Sequence, residues 1–524
     1  MKRISPICSL LLVLCLTHSG CFSGEEPSPY YGAVNPPQLQ EFRWSDGGLP
    51  QTFDPAFAAA APDTDAVRAL FEGLTDYDPK TLAPVPAVAT RWESSPDARV
   101  WTFYLRDNAR WSNGERVTAA DFVRSWERTL KIGPLAPHTE LLSNIEGATA
   151  NAAPPVETSE PSSSAEQTPP EPPRFGARAI GEHVLQVTLE QGDHTFPSLV
   201  AHPVFRPVKV DAADRTQRIE SHELISNGAF QLSATESDRV RLERARNYWD
   251  GASVTLDRVT FVNTANAEDA LAAYRAGEVD AVTNAPFEPL ALKLLAPYKD
   301  FRRSTFGALT YYSFNIAHEP FDDVRVREAL ALAIDRERVS RDDLGGATEA
   351  AGKFLPEAMS GEKPVVAEAE LLEHDVNKAR ALLAEAGYPD GEGFPVIRLL
   401  INRNEQQRIV ARSIAEMWRV ALNVETEIVI RSWEDYEASI AAGDYDVVRR
   451  GMVMQTTSEL TNLRMLFHDD VPESETQALK DLKAMPIYFA SSYSVVKPYV
   501  SGFDANVLDA PSLKQTRINP NWTR

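Results

Sequence analysis

The alternation of apolar and polar positions divides most of the chain into strands and helices. Val67, Leu70, Phe71 and Leu74 recur at the spacing of one helix face, and Thr64 stands where it can cap that helix. "ARVWTFYLR" (98–106) reads as an aromatic-rich strand, and Asn113-Gly114 as a hairpin-type turn. "TAADFVRSWERTL" (118–130) predicts a capped helix with Phe122, Trp126 and Leu130 on one face. "NKARALLAEAGYPDG" predicts a helix ended by Gly387, with Pro389 just beyond. "FPVIRLLIN", "EQQRIVARSIAEMWRVAL" (405–422) and "VETEIVI" (424–430) read in turn as strand, helix and strand, a βαβ unit with parallel strands. "VRVREALALAI" predicts an amphipathic helix followed by a solvated, charge-rich end. The pattern as a whole is that of an α/β fold with several lobes.

Three stretches depart from this alternation. Lys2 and Arg3 precede the apolar run "ICSLLLVLCL" (7–16), too short to span a bilayer but right for a signal-peptide core. "THSGC" then places small residues before Cys21, as in the bacterial site where cleavage leaves a lipidated cysteine, although His18 stands where Leu, Val or Ile is usual. The alternative is ordinary cleavage nearby. Residues 1–20 are thus expected to be a signal peptide and 21–37, rich in Pro, Ser, Gly and Glu, a flexible tether. The third stretch, 150–174, holds seven prolines among Ser, Thr and Glu without an aromatic residue until Phe175, and is expected to be a disordered surface insertion.

Composition narrows the function. A chain of 524 residues is long enough for two or three lobes. The formal net charge of -22 argues against nucleic acid, which requires clustered Lys and Arg. All three cysteines lie in the leader (Cys8, Cys15, Cys21), so the body has no disulfide and no cysteine metal site. No phosphate loop, HExxH or GxSxG motif is present, and neither cofactor nor metal is expected. One segment raises a question of its own: "DYDVVRRGMVMQTTSEL" (444–460) starts as a strand and then runs from Gly451 to Ser458 without a charge. It could be buried core, or it could line a cavity with no carboxylate in reach.

Several stretches, taken together and in order, resemble the family 5 extracellular solute-binding proteins, the oligopeptide-binding proteins of bacterial ABC importers. They are "ALFEGLTDYDPKTLAPVPAVATRWESSPDARVWTFYLRDNARWSNGERVTAADFVRSWERTL", "ISNGAFQL", "LERARNYWDG", "YYSFNIAHEPFDDVRVREALALAIDRERV", "ARALLAEAGY" and "VVKPYVSGF". The resemblance implies a two-lobed, three-domain binding-protein fold with a hinged cleft. Lobe I would comprise 38–75, 190–300 and 486–524, a small extra domain 76–189, and lobe II 301–485. It also implies cleft residues: Arg449, Gly451, Trp433, and the aromatic pair Tyr488 and Phe489. Met452 stands where the family has a tryptophan, and Gln455 where it has an aspartate that pairs with a peptide's ammonium. The loop 54–63 matches a ligand-facing loop through Ala61, with Ala59 where some members carry glutamate. Ile440 and Ala441 replace an Arg-His pair. After "NLRMLFHDD" the family's two helices are reduced to "VPESETQALKDLKA", enough for one.

The implied function is that of a substrate-binding lipoprotein without enzymatic activity. It would be a periplasmic or cell-envelope monomer, lipid-anchored, with a peptide or peptide-like ligand and an ABC permease as partners. The alternative is a non-transport envelope lipoprotein, a sensor, chaperone or structural part, that retains the scaffold.

Overall fold

The computed structural model describes residues 29–148, 174–210, 216–357, 372–468 and 470–523. The leader, Cys21 and the Pro-rich insertion up to Pro173 lie outside these residues. One mixed sheet of eleven strands runs through the molecule. From one edge its order is Thr426–Arg431, Ile397–Asn402, Val447–Val453, Phe301–Phe314, Ala484–Val496, Ala281–Thr283, Glu41–Asp46, Arg258–Val262, Arg239–Arg244 and Phe230–Thr235, with Thr348–Ala350 added onto Ala484–Val496. The two long strands hold this sheet together. Phe301–Phe314 and Ala484–Val496 pair antiparallel along most of their length. At one end Val495 and Val496 reach the strand Ala281–Thr283. At the other, Ala308–Phe314 pairs with Val447–Val453. Each half therefore packs its own helices, and the same two strands serve both.

The expected βαβ unit is present. Ile397–Asn402 and Thr426–Arg431 pair in parallel register, from Ile397↔Thr426 to Asn402↔Arg431. The helix between them, Glu405–Leu422, is capped by Asn404 and closed by Asn423 in the left-handed region. A second, four-stranded sheet is formed by Ala89–Ser94, Val100–Leu105, Val184–Thr188 and Ala177–Gly181. The helix Ala119–Ile132 packs on it, and Thr118 and Asp121 form its capping box. Phe122, Trp126 and Leu130 are buried as predicted, and the Trp126 indole donates to the Phe205 carbonyl at 2.8 Å. Asp54 and Arg128, both fully buried, are paired at 2.6 Å.

Three readings are corrected. Thr64 is no cap: the helix is Asp63–Leu70, Pro62 takes the cap position, and Phe71 is already extended. Phe71 and Leu74 still reach the core, but from a segment held by long-range bonds such as Glu72 N to Asn227 Oδ1 at 3.0 Å. The charged end after residue 334 is not wholly solvated. Arg336 is buried and donates to the carbonyls of Pro486, Ala331 and Ile334. Burial depresses its pKa to about 9. The tether does not extend to residue 37. From Pro29 the chain docks on the body: Lys299 N donates to the Pro29 carbonyl, Tyr31 N to Asp300, and the Tyr31 ring lies 6.4 Å from that of Tyr274. Two tyrosines in a Pro-rich context supply the apolar surface that makes this docking favourable.

Candidate functional site

The site forms where the long strands pass from one half of the sheet to the other. The pairing of Phe301–Phe314 with Ala484–Val496 is irregular between Thr305 and Leu309. Just beyond that break, Thr310 pairs with Gly451 on one side and Tyr488 on the other. A cavity of about 360 Å³ opens there, walled by Leu309, Thr310, Gln406, Gln407, Arg449, Gly451, Met452 and Tyr488 among others. Gln406 and Gln407 come from the first turn of the helix after Ile397–Asn402. Their position is the crevice at the carboxyl ends of parallel strands, where α/β sheets bind ligands.

None of the residues lining this cavity is acidic, and Arg449 is its one charged side chain. The Arg449 guanidinium has a single long contact, Nη2 to Thr310 Oγ1 at 3.4 Å, and its Nε is buried without a partner among the described residues. Its backbone is fixed by the Tyr436 hydroxyl, which donates to the Arg449 carbonyl. Burial pushes the Tyr436 phenol up to about 12. Gly451 leaves room for this arrangement: a Cβ there would lie 3.0 Å from Arg449 Nη2. The amides of Gln406 and Gln407 donate to the Tyr488 hydroxyl at 3.3 and 3.1 Å. Gln407 Oε1, like Arg449 Nε, is buried and unpaired. Unpaired buried polar atoms are costly, and here two of them flank one cavity.

The eight positions implied by the resemblance separate into two groups. Arg449, Gly451, Met452 and Tyr488 share the cavity wall. Phe489 lies behind it, 4% exposed, in an apolar cluster with Leu309, Tyr311, Met452 and Met454. Trp433 begins the helix Trp433–Ala441 and is 63% exposed, its ring 5.6 Å from that of Tyr436. Ala61 is part-buried in its loop. Gln455 is already engaged. The Val204 N–H donates to His202 Nδ1, which puts the ring proton on Nε2, and Nε2 donates to Gln455 Oε1 at 3.3 Å. The other end of the amide donates to the Val453 carbonyl. His138, edge-on to His202 at 4.9 Å, continues this line to the Ala59 carbonyl. Burial above all, then His138 and Arg68, holds His202 well below the usual histidine range. The uncharged run from Gly451 to Ser458 thus has two roles: its start lines the cavity, and its end, with Thr456 and Ser458 fully buried, is packed interior.

Thr310, Gln406 and Gln407 were not identified from the sequence. The polar turn "NRNEQQ" between strand and helix was the available signal. The stretch "VPESETQALKDLKA" forms one short helix, Glu475–Asp481. Among the described residues no group of three or more His, Cys, Asp or Glu is placed to hold a metal ion, and no helix is long and apolar enough to cross a membrane.

Two half-sheets joined by shared strands, with an apolar and amide-lined cavity at the crossing, define a cleft-type solute-binding protein. Comparison with known proteins agrees. The family described as bacterial extracellular solute-binding proteins, family 5 Middle, matches residues 83–473, and the chain belongs to it. The periplasmic murein peptide-binding protein MppA of Escherichia coli is 32% identical over 472 residues, 88% of this chain and 83% of that protein. The periplasmic oligopeptide-binding protein OppA of Salmonella typhimurium is 28% identical, covering 88% and 89%. Among solved structures, the unliganded open form of MppA superposes with a TM-score of 0.77 at 28% identity, covering 93% of this chain and 98% of that one. The Haemophilus influenzae OppA complex with the peptide RPPGFSPFR gives 0.61 at 25% identity, covering 92% and 100%.

Proposed function

We propose that this protein is the substrate-binding lipoprotein of an ABC importer, anchored through Cys21, working as a monomer and carrying out no catalysis. It captures peptides or peptide-like solutes in the cleft at Arg449 and hands them to a permease. The observation that carries this reading is the state of Arg449: a guanidinium in a cavity without acid, with one long contact and an orphan Nε. Such a group is completed by a ligand carboxylate, which accepts two parallel hydrogen bonds from it. Gln406, Gln407 and Thr310 supply amides and a hydroxyl for a peptide backbone, and Met452 and Leu309 an apolar wall.

Gln455 is neutral and bonded to His202, so the reading assigns no charge-based recognition to a peptide's free amine. The test is a thermal-shift assay with short peptides that are free, N-acetylated or C-amidated. A ligand at a hundred times its Kd adds about 2.7 kcal/mol of stability. The expected result is a shift with free and acetylated peptides alike and a smaller one after amidation. No shift with any peptide overturns the reading, in favour of a non-transport role for the scaffold.

A further inference from the structure

The helix Pro289–Leu295 bears an apolar face that nothing in the described protein covers. Leu295 and Ala291 turn inward, into a cluster with Tyr31, Tyr274, Phe287 and Phe301. Leu290 and Leu294, four residues apart and therefore on one side of the helix, are 68% and 64% exposed. A single exposed leucine is ordinary on a protein surface. Two on one helical face, with Lys293 exposed on the same helix, Glu288 exposed at its start and Lys299 exposed four residues beyond its end, make an amphipathic edge.

The chain enters the fold at the same place. Lys299, four residues past the helix, donates its N–H to the Pro29 carbonyl at 2.9 Å, and Tyr31 meets Tyr298 edge-on at 5.3 Å. Cys21 precedes Pro29 by eight residues. Eight residues span at most about 28 Å however they are arranged. A lipid on Cys21 therefore keeps this edge of the protein within that distance of the bilayer.

We propose that the helix Pro289–Leu295 is the face on which the anchored protein rests against the lipid surface. Leu290 and Leu294 enter the headgroup boundary, and Lys293 and Lys299 meet lipid phosphates. This rests on the lipid-anchor reading above. The full chain carries a formal charge of -22, and the body, which lacks the leader's Lys2 and Arg3, is more acidic still, so by itself it is repelled by anionic membranes. The contact is a consequence of tethering, which supplies a high local concentration of lipid.

The chain from Phe22 keeps every contact described above and contains no cysteine. A thiol placed by Leu290→Cys or Leu294→Cys is therefore unique and can carry an environment-sensitive nitrobenzoxadiazole probe. The protein is tethered by an N-terminal decahistidine, in place of Cys21, to vesicles of phosphatidylcholine and phosphatidylglycerol containing a nickel-chelating lipid. The expected result is blue-shifted emission at 290 and 294, quenched by brominated acyl chains, and no change for a probe at Ile180→Cys on the four-stranded sheet. Unshifted probes at 290 and 294 on vesicle-bound protein overturn the proposal. So does a shift that is insensitive to bromolipid and grows with protein density, which assigns the face to a second copy. The anchor is tested separately, by comparing uptake of radiolabelled palmitate by the full chain with that by Cys21→Ser. If the full chain takes up no radiolabelled palmitate, or Cys21→Ser takes up as much, the anchor reading fails whatever the probes report.

Discussion

Replacing Arg449 with methionine separates ligand recognition from folding. The new side chain keeps length and apolar contact but removes the guanidinium. In the free protein little is lost, because the one hydrogen bond given up, to Thr310 Oγ1, is 3.4 Å long, and the orphan Nε disappears with it. The stability of the free protein should change by less than about 1 kcal/mol. With ligand bound the balance reverses. A hydrogen bond to a charged group contributes about 1.5–3 kcal/mol, which at 1.4 kcal/mol per decade is a loss of roughly 10- to 150-fold in affinity. Titration calorimetry with a bound peptide and its fully amidated counterpart completes the cycle. The wild type should prefer the acid by about that factor, and R449M should bind both forms alike. If R449M keeps the preference, the carboxylate lies elsewhere. If it instead unfolds early, Arg449 is a structural residue and the argument from its unpaired state is wrong.

Other changes have equally definite outcomes. Gly451→Ala puts a Cβ 3.0 Å from Arg449 Nη2, so it should weaken peptide binding severalfold in calorimetry with little change in melting temperature. Asp54→Ala removes a fully buried carboxylate that accepts from Arg128 and from the Ala56 and Ile219 N–H groups, and should cost about 1–3 kcal/mol in urea unfolding. Asp46 is fully buried, and burial first, with Asp509 nearby, pushes its pKa up to about 6, even though it accepts from Thr283 and Asn284. Burial and then Asp46 push up Asp65 likewise. Because the folded state holds this proton more tightly than the unfolded one, stability falls as pH rises from about 4 to about 6, and the loss is complete above that. Asp46→Asn removes the ionisation, so the urea midpoint at pH 7–8 should rise and its decline between pH 4 and 6 should flatten.

What could be read from the chain was what neighbours in sequence decide. The capping box at Thr118, the strand-helix-strand unit at 397–431 and the break at Gly387 follow from local spacing, and the structure has them. What could not be read depends on distant partners. Thr64 looks like a cap until Pro62 is seen to hold that position. Arg336 looks solvated until the Pro486 carbonyl, 150 residues away, is seen to accept from it. Gln455 cannot be placed from its neighbours, because its Oε1 accepts from His202, 253 residues away. The cavity gathers residues from four separate stretches, and only their pairing registers, Thr310↔Gly451 and Thr310↔Tyr488, bring them together.

The place of the strand Ala484–Val496 has a consequence for how the protein folds. It comes later in the chain than both of its neighbours, yet it lies in the interior of the large sheet, between Phe301–Phe314 and Ala281–Thr283. Without it the two half-sheets have no common strand pair. The large sheet closes only once this strand is in place. Long-range closures of this kind are slow.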